Sequence, residues 1–114
     1  MHDPGDVVIV NFAGAVRVKR RPAVVLSSEL YHAHRPDTIL GLITSQTSAA
    51  IEPTDYVLLD WATAGLKQPS AFRSYIPTMP DGEVLARIGR LSDDDWLEVR
   101  KRVKVAFADL DEPQ

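Results

Sequence analysis

Apolar and polar positions change over in short blocks along this chain, and only the last block has the period of a helix. A turn signal, Gly5-Asp6, precedes Val7-Val8-Ile9-Val10-Asn11-Phe12, a β-branched run of strand length. Ala13-Gly14-Ala15 opens a loop that carries a basic block. Pro22 starts a second strand, Ala23 to Ser27, since a missing N–H does little harm at a strand's first residue. Glu29 to Asp37 is polar and contains Pro36, so it reads as a loop. Thr38 to Thr44 forms a third strand, and the small, polar stretch Gln46 to Thr54 a mobile loop. Tyr56 to Leu59 is a short fourth strand, and Trp61 to Gly65 a single turn ended by its glycine. Ala71 to Thr78 and Val84 to Ile88 give two more strands around the turn Pro80-Asp81-Gly82.

The helical block begins at Ser92, with Asp95 three residues on, a capping box with Asp in place of Glu. Asp93, Asp94 and Asp95 complement the positive end of the helix dipole. Trp96, Val99, Val103, Ala106, Phe107 and Leu110 fall on one stripe, which predicts a packing face rather than a recognition helix. Short strands followed by one amphipathic helix predict a mainly β fold with a C-terminal helix, a strongly bent sheet or partly open barrel.

At 114 residues the chain suits a single domain, residues 1–114, and its 45% hydrophobic content is ordinary for a globular protein. No apolar run approaches the roughly 18 residues of a membrane helix, so no membrane association is expected. Met1 to Asp6 lacks the basic and apolar regions of a signal peptide. Without cysteine there are no disulfides or thiolate metal sites, and a cytoplasmic setting fits best. His32 and His34 are two apart, which is not a zinc spacing, and no metal or cofactor is expected.

The formal net charge of -3 argues against non-specific nucleic-acid binding, but its distribution does not. Arg17, Lys19, Arg20 and Arg21 form one block, with no acid between Asp6 and Glu29. Two readings stay open at this point: a solvated hairpin loop, or a seat for an anionic partner. Two guanidinium groups ahead of Pro22-Ala23-Val24-Val25-Leu26 set fixed, bidentate positive charge at the lip of a sheet, which suits phosphate.

The ordered set Gly5-Asp6-Val7-Val8, Arg21-Pro22-Ala23-Val24-Val25-Leu26-Ser27, Tyr31 and Ile43-Thr44-Ser45 resembles the MazF/PemK family of toxins from bacterial type II toxin–antitoxin modules. Asp60-Trp61, Ala64-Gly65-Leu66, Lys67, Pro69-Ser70, Arg73, Thr78, Pro80 and Gly89-Arg90-Leu91-Ser92 resemble its PemK-like branch. The resemblance implies an SH3-like small barrel with a C-terminal helix, a homodimer, and a metal-independent endoribonuclease that cleaves single-stranded RNA and is neutralised by a cognate antitoxin. Two alternatives share the fold: a non-catalytic nucleic-acid- or protein-binding relative, and a toxin that poisons a protein such as gyrase.

Metal-free RNA cleavage needs a base for the 2′-hydroxyl, charge stabilisation at the phosphate and a proton for the leaving 5′-oxygen. By resemblance Arg21 holds the scissile phosphate, Thr44 donates to it or orients the attacking group, and Arg73 stabilises charge. Arg20, Ser45, Lys19, Tyr75 and His32 are expected to touch RNA. Arg21 could instead be a structural partner of an acid or carbonyl, and Thr44 an ordinary strand cap. In several members an Asp lies two residues beyond the Arg73 position and serves as base. Here that position is Tyr75, whose ordinary pKa near 10 makes it a poor base but whose ring can stack on a nucleobase. The candidates for a base are then His32 or His34, and Asp60, which is equally readable as structural. Trp61 and Trp96 are expected in the core, and Phe72 in the core or against a base.

Overall fold

The first strand explains its own composition: β1 (Asp6–Ala13) buries consecutive residues because both faces of the sheet are covered. Val7 belongs to one apolar cluster, with Val24, Ile43, Leu58, Phe72 and Val99. Val8 and Val10 belong to the other, with Ala23, Val25 and Leu40. A strand buried on both sides reads as a continuous hydrophobic run, and each fully buried valine contributes about 1.5–3 kcal/mol. The computed structural model describes residues 2–13 and 18–108.

β1 pairs antiparallel with β2 (Val18–Val25) and, on its other side, with β7 (Val84–Arg90). β2 pairs β3 (Asp37–Thr44), β3 pairs β5 (Ala71–Arg73), and β5 pairs β4 (Tyr56–Val57). A short β6 (Thr78–Pro80) pairs the opposite end of β3. The path β4-β5-β3-β2-β1-β7 does not close, so the expected barrel is an open, curled sheet among the described residues. Two helices complete it, α1 (Glu29–His34) and α2 (Asp93–Ala106).

Several expectations are corrected. Lys19, Arg20 and Arg21 lie within β2 rather than in a loop, and Pro22 sits inside the strand opposite Ile9. The pairing with β3 covers only Ala23 to Val25, so β2 has a free edge at Pro22, where a missing N–H is tolerated. Arg17 and most of the Ala13–Lys19 loop lie outside the described residues. Glu29 to His34 is helical because the Ser28 hydroxyl accepts from the Tyr31 N–H and caps the turn. Thr47 to Ala49 in the expected mobile loop forms a 3-10 turn. The strand expected from Tyr56 to Leu59 ends at Val57, and the one over Ala71 to Thr78 divides in two. Tyr75 and Pro77 still accept from Leu42 and Leu40 of β3, but Pro77 has no N–H to return.

The C-terminal helix is held by Asp95, which is fully buried. Ser92 accepts from the Asp95 N–H as expected. The Asp95 carboxylate does not reach back to complete the box. It accepts from the Tyr56 hydroxyl at 2.7 Å, the Leu59 N–H at 3.1 Å and the Asp60 N–H at 2.8 Å. Burial, then donation to Asp95 and its charge, push the Tyr56 phenol well above its ordinary value. Trp96, Val99 and Val103 pack on the core and Trp61 joins them, whereas Ala106 and Phe107 are exposed. Leu110 lies outside the described residues.

Candidate RNA-contacting site

Strand register sorts the basic block onto two faces, because cross-strand partners share a face and neighbours along a strand do not. Arg21 is paired with Val10 and Lys19 with Phe12. Ala23 is paired with Leu42, and Leu42 with Arg73. Thr44 lies two residues beyond Leu42, and Arg21 two residues before Ala23, so strand alternation sets both on the face of the Ala23–Leu42 pair, just past the point where β2 and β3 stop pairing. Lys19, Arg21, Thr44 and Arg73 therefore share one face at one end of the sheet. Tyr75 joins them, its ring edge-on to Phe12 with centroids 5.5 Å apart and half its surface exposed.

Each of these groups has capacity to spare. The Thr44 hydroxyl accepts from the Gln46 N–H at 3.1 Å, which ends the strand and leaves the hydroxyl proton for another acceptor. Thr44 is thus a strand cap in fact, without losing its donor. Arg21 and Lys19 are exposed and join no ion pair among the described residues. Among the described residues Arg73 has one neighbour of opposite charge: its Nε lies 3.9 Å from Oδ2 of Asp55.

The other face of β2 carries Arg20, paired with Asn11. It lines a cavity of about 460 Å³ together with Ser45, Lys67 and Gln68, and Arg21 at the rim adds to its wall. Ile43, Leu66 and Ile88 supply an apolar floor. Among the described residues no Asp or Glu lines it, whereas Arg20, Arg21 and Lys67 do, so its wall is cationic although the whole chain is acidic.

Gly65 sets where Lys67 and Gln68 stand. Its φ of 87° is open mainly to glycine, and a Cβ there would overlap the Ile88 carbonyl oxygen. The turn before it thereby presses directly on β7, Leu66 enters the core, and the next two residues overhang the cavity. The Ser70 hydroxyl donates to the Gln68 carbonyl at 2.8 Å and fixes the far end of that overhang.

His32 is not part of this arrangement. Its Nε2 lies 2.7 Å from the Ser27 hydroxyl, which also accepts from the Ile39 N–H, and it lines a separate cavity with Thr38, Asp81 and Val84. His34 is exposed on α1. Asp60 lines neither cavity, and its backbone N–H serves Asp95. Phe72 is wholly buried and packs in the core. Sequence reasoning missed Asp55, Lys67 and Gln68 as site residues. The signal for the last two was a glycine-ended turn delivering two polar residues beside a core leucine.

A model of the PemK-like, MazF-like toxins of type II toxin–antitoxin systems matches residues 3–107. No curated protein matches the chain. Among solved structures, an endoribonuclease in complex with its cognate antitoxin from a Mycobacterial species superposes with TM-score 0.74 at 16% identity, over 100% of this chain and 99% of that one. MazF from a MazE-MazF complex of Deinococcus radiodurans gives TM-score 0.74 at 20% identity, over 92% and 94% of the two chains. The MazF-mt6 toxin of Mycobacterium tuberculosis gives 0.71 at 22%, over 90% and 95%. At these identities the likeness establishes the fold.

Proposed function

The chain belongs to the PemK-like, MazF-like toxin family of type II toxin–antitoxin systems, and on that premise we propose that it is a metal-independent endoribonuclease acting on single-stranded RNA. The observation that carries this reading is the register that gathers Arg21, Thr44 and Arg73 on one face of one sheet end. The 2′-oxygen of a bound ribose loses its proton and attacks the adjacent phosphorus. A new P–O2′ bond forms and the P–O5′ bond breaks; solvent takes the 2′ proton and returns one to the leaving 5′-oxygen, so the products are a 2′,3′-cyclic phosphate and a 5′-hydroxyl.

Arg21 binds the non-bridging oxygens, where negative charge grows, with a planar fork that matches them. Thr44 donates its free hydroxyl proton to the same phosphate. Arg73 adds charge at the leaving side, held by Asp55. Lys19 meets a neighbouring phosphate, and the half-exposed ring of Tyr75 stacks on an unpaired base. Structures of this fold solved with a cognate antitoxin or with MazE support an antitoxin as partner, and membership of the family supports a second copy in a homodimer. Among the described residues no helix is long and apolar enough to cross a membrane; the family reading supports action in the cytoplasm, where RNA is.

The test is incubation of purified protein with a long single-stranded RNA in EDTA, with Arg73→Ala as control, read by primer extension. Cuts at one short recurring sequence, absent with Arg73→Ala, are expected. Intact RNA from folded wild-type protein would instead favour a non-catalytic binding role. Growth arrest with intact RNA and blocked supercoiling would favour a gyrase target.

A further inference from the structure

We propose, on the basis of the endoribonuclease reading above, that the cavity behind Arg20 is a nucleotide subsite, in which Lys67 holds a backbone phosphate and Gln68 reads the edge of an unpaired base. Its volume of about 460 Å³ lies within the roughly 300–1,000 Å³ of sites that enclose small molecules. Its composition matches a nucleotide better than a bare anion. A lone phosphate would use the cations and leave the floor of Ile43, Leu66 and Ile88 without purpose. A nucleotide uses both, its base against the apolar floor and its phosphate at the rim.

The polar groups divide the labour by their chemistry. Lys67 is exposed and offers a point charge suited to phosphate but not to telling bases apart. Gln68, also exposed, offers a donor and an acceptor side by side, the pattern needed to read a base edge. The close approach of Gly65 to β7 and the Ser70–Gln68 hydrogen bond hold both residues over the cavity before RNA arrives. The free edge of β2 beyond Ala23 lets one strand of RNA touch both faces. Crossing that edge, it meets Arg21 and Thr44 on one side and Arg20, Lys67 and Gln68 on the other.

The experiment separates this subsite from the cleavage reaction. Binding of a 2′-O-methyl oligoribonucleotide, whose blocked 2′-oxygen cannot attack, is followed by fluorescence anisotropy across salt concentrations for the wild type, Lys67→Met and Gln68→Ala. Lys67→Met is expected to weaken binding of all sequences alike and to reduce the log–log salt slope by about 0.7. Gln68→Ala is expected to keep the slope and to flatten a preference at one nucleotide position by up to about tenfold. Both side chains are exposed, so the variants should fold; circular dichroism checks this. Binding unchanged in both variants overturns the subsite, and if the wild type still cuts RNA the endoribonuclease reading stands. Binding that depends on Lys67 and Gln68 in a wild type that leaves RNA intact upholds the subsite and sinks the catalytic reading. A shift in monomer–dimer equilibrium with unchanged oligonucleotide affinity also overturns the proposal, since a second copy would then cover the cavity.

Discussion

The Arg73 guanidinium stands 3.9 Å from the carboxylate of Asp55, whose side chain is only 2% exposed whereas that of Arg73 is 43% exposed. Asp55 also accepts from the Ser74 N–H at 3.1 Å and the Glu52 N–H at 3.3 Å, so its position is fixed by backbone on both sides. It acts as a tether, fixing the stem of Arg73 while the rest of the guanidinium faces outward.

Asp55→Asn should therefore impair cleavage without removing any group that touches RNA. It replaces an acceptor oxygen by a donor amide facing N–H donors, and it loosens Arg73. A small misplacement of a charge-stabilising group lowers kcat/KM by roughly ten- to a hundredfold, with the loss mainly in kcat. Steady-state cleavage of a short RNA measures it. Wild-type kcat from the Asn variant would show that Arg73 needs no tether.

Arg21→Lys should be nearly as damaging as Arg21→Ala, because the planar fork and not the charge alone matches the phosphate. Both should lose on the order of a hundredfold in kcat while unfolding at the wild-type urea concentration, since Arg21 is exposed. Full activity in the Lys variant would reduce Arg21 to a source of general positive field.

Asp95 fastens the helix to the segment Tyr56 to Asp60. Asp95→Ala leaves the Leu59 and Asp60 N–H groups and the Tyr56 hydroxyl without their acceptor, which should cost about 1–3 kcal/mol, a large share of a small domain's stability. Urea unfolding measures this. The milder Asp95→Asn should also bring the Tyr56 phenol down toward its ordinary value, because the neighbouring negative charge is gone. Ultraviolet titration follows that ionisation.

Asp6 predicts a specific acid sensitivity. Burial alone would raise its pKa, but the Asp3 N–H, the Arg87 guanidinium at 3.1 Å and Arg90 at 3.5 Å outweigh it and hold it below the ordinary carboxylate value. The folded state therefore binds this proton less readily than the unfolded state. The resulting stability is fully present above the ordinary Asp value of about 3.9 and is lost as pH falls through the lower folded value. Asp6→Asn should lower the urea midpoint near neutrality, with the difference from wild type shrinking below about pH 4. A difference that stays constant down to pH 2 would contradict this.

Gly65→Ala should destabilise the fold by at least about 2 kcal/mol, through an unfavourable positive φ and overlap with the Ile88 carbonyl. Thermal unfolding measures it. A neutral outcome would mean that the turn can lift off β7.

The elements were legible in the sequence wherever a local rule decided them. Ser92 capped the last helix as its position implied, and the β-branched run from Val7 formed a strand. The short helix after Ser28 was missed because none of its six residues is buried, so it carries no apolar period. Basic residues looked like a loop because Pro22 suggested a strand start; pairing with β1 carried the strand through it.

The sequence by itself determined the mainly β class, the closing helix, and the residue types suited to phosphate. Those follow from side-chain size, branching and charge, which are properties of single residues and near neighbours. Only the tertiary structure decided that Arg21 and Arg20 face opposite sides, that Arg21, Thr44 and Arg73 share one, and that Asp55 tethers Arg73. These are relations of register and of contact between segments distant in the chain, and a one-residue slip of pairing would reverse every face.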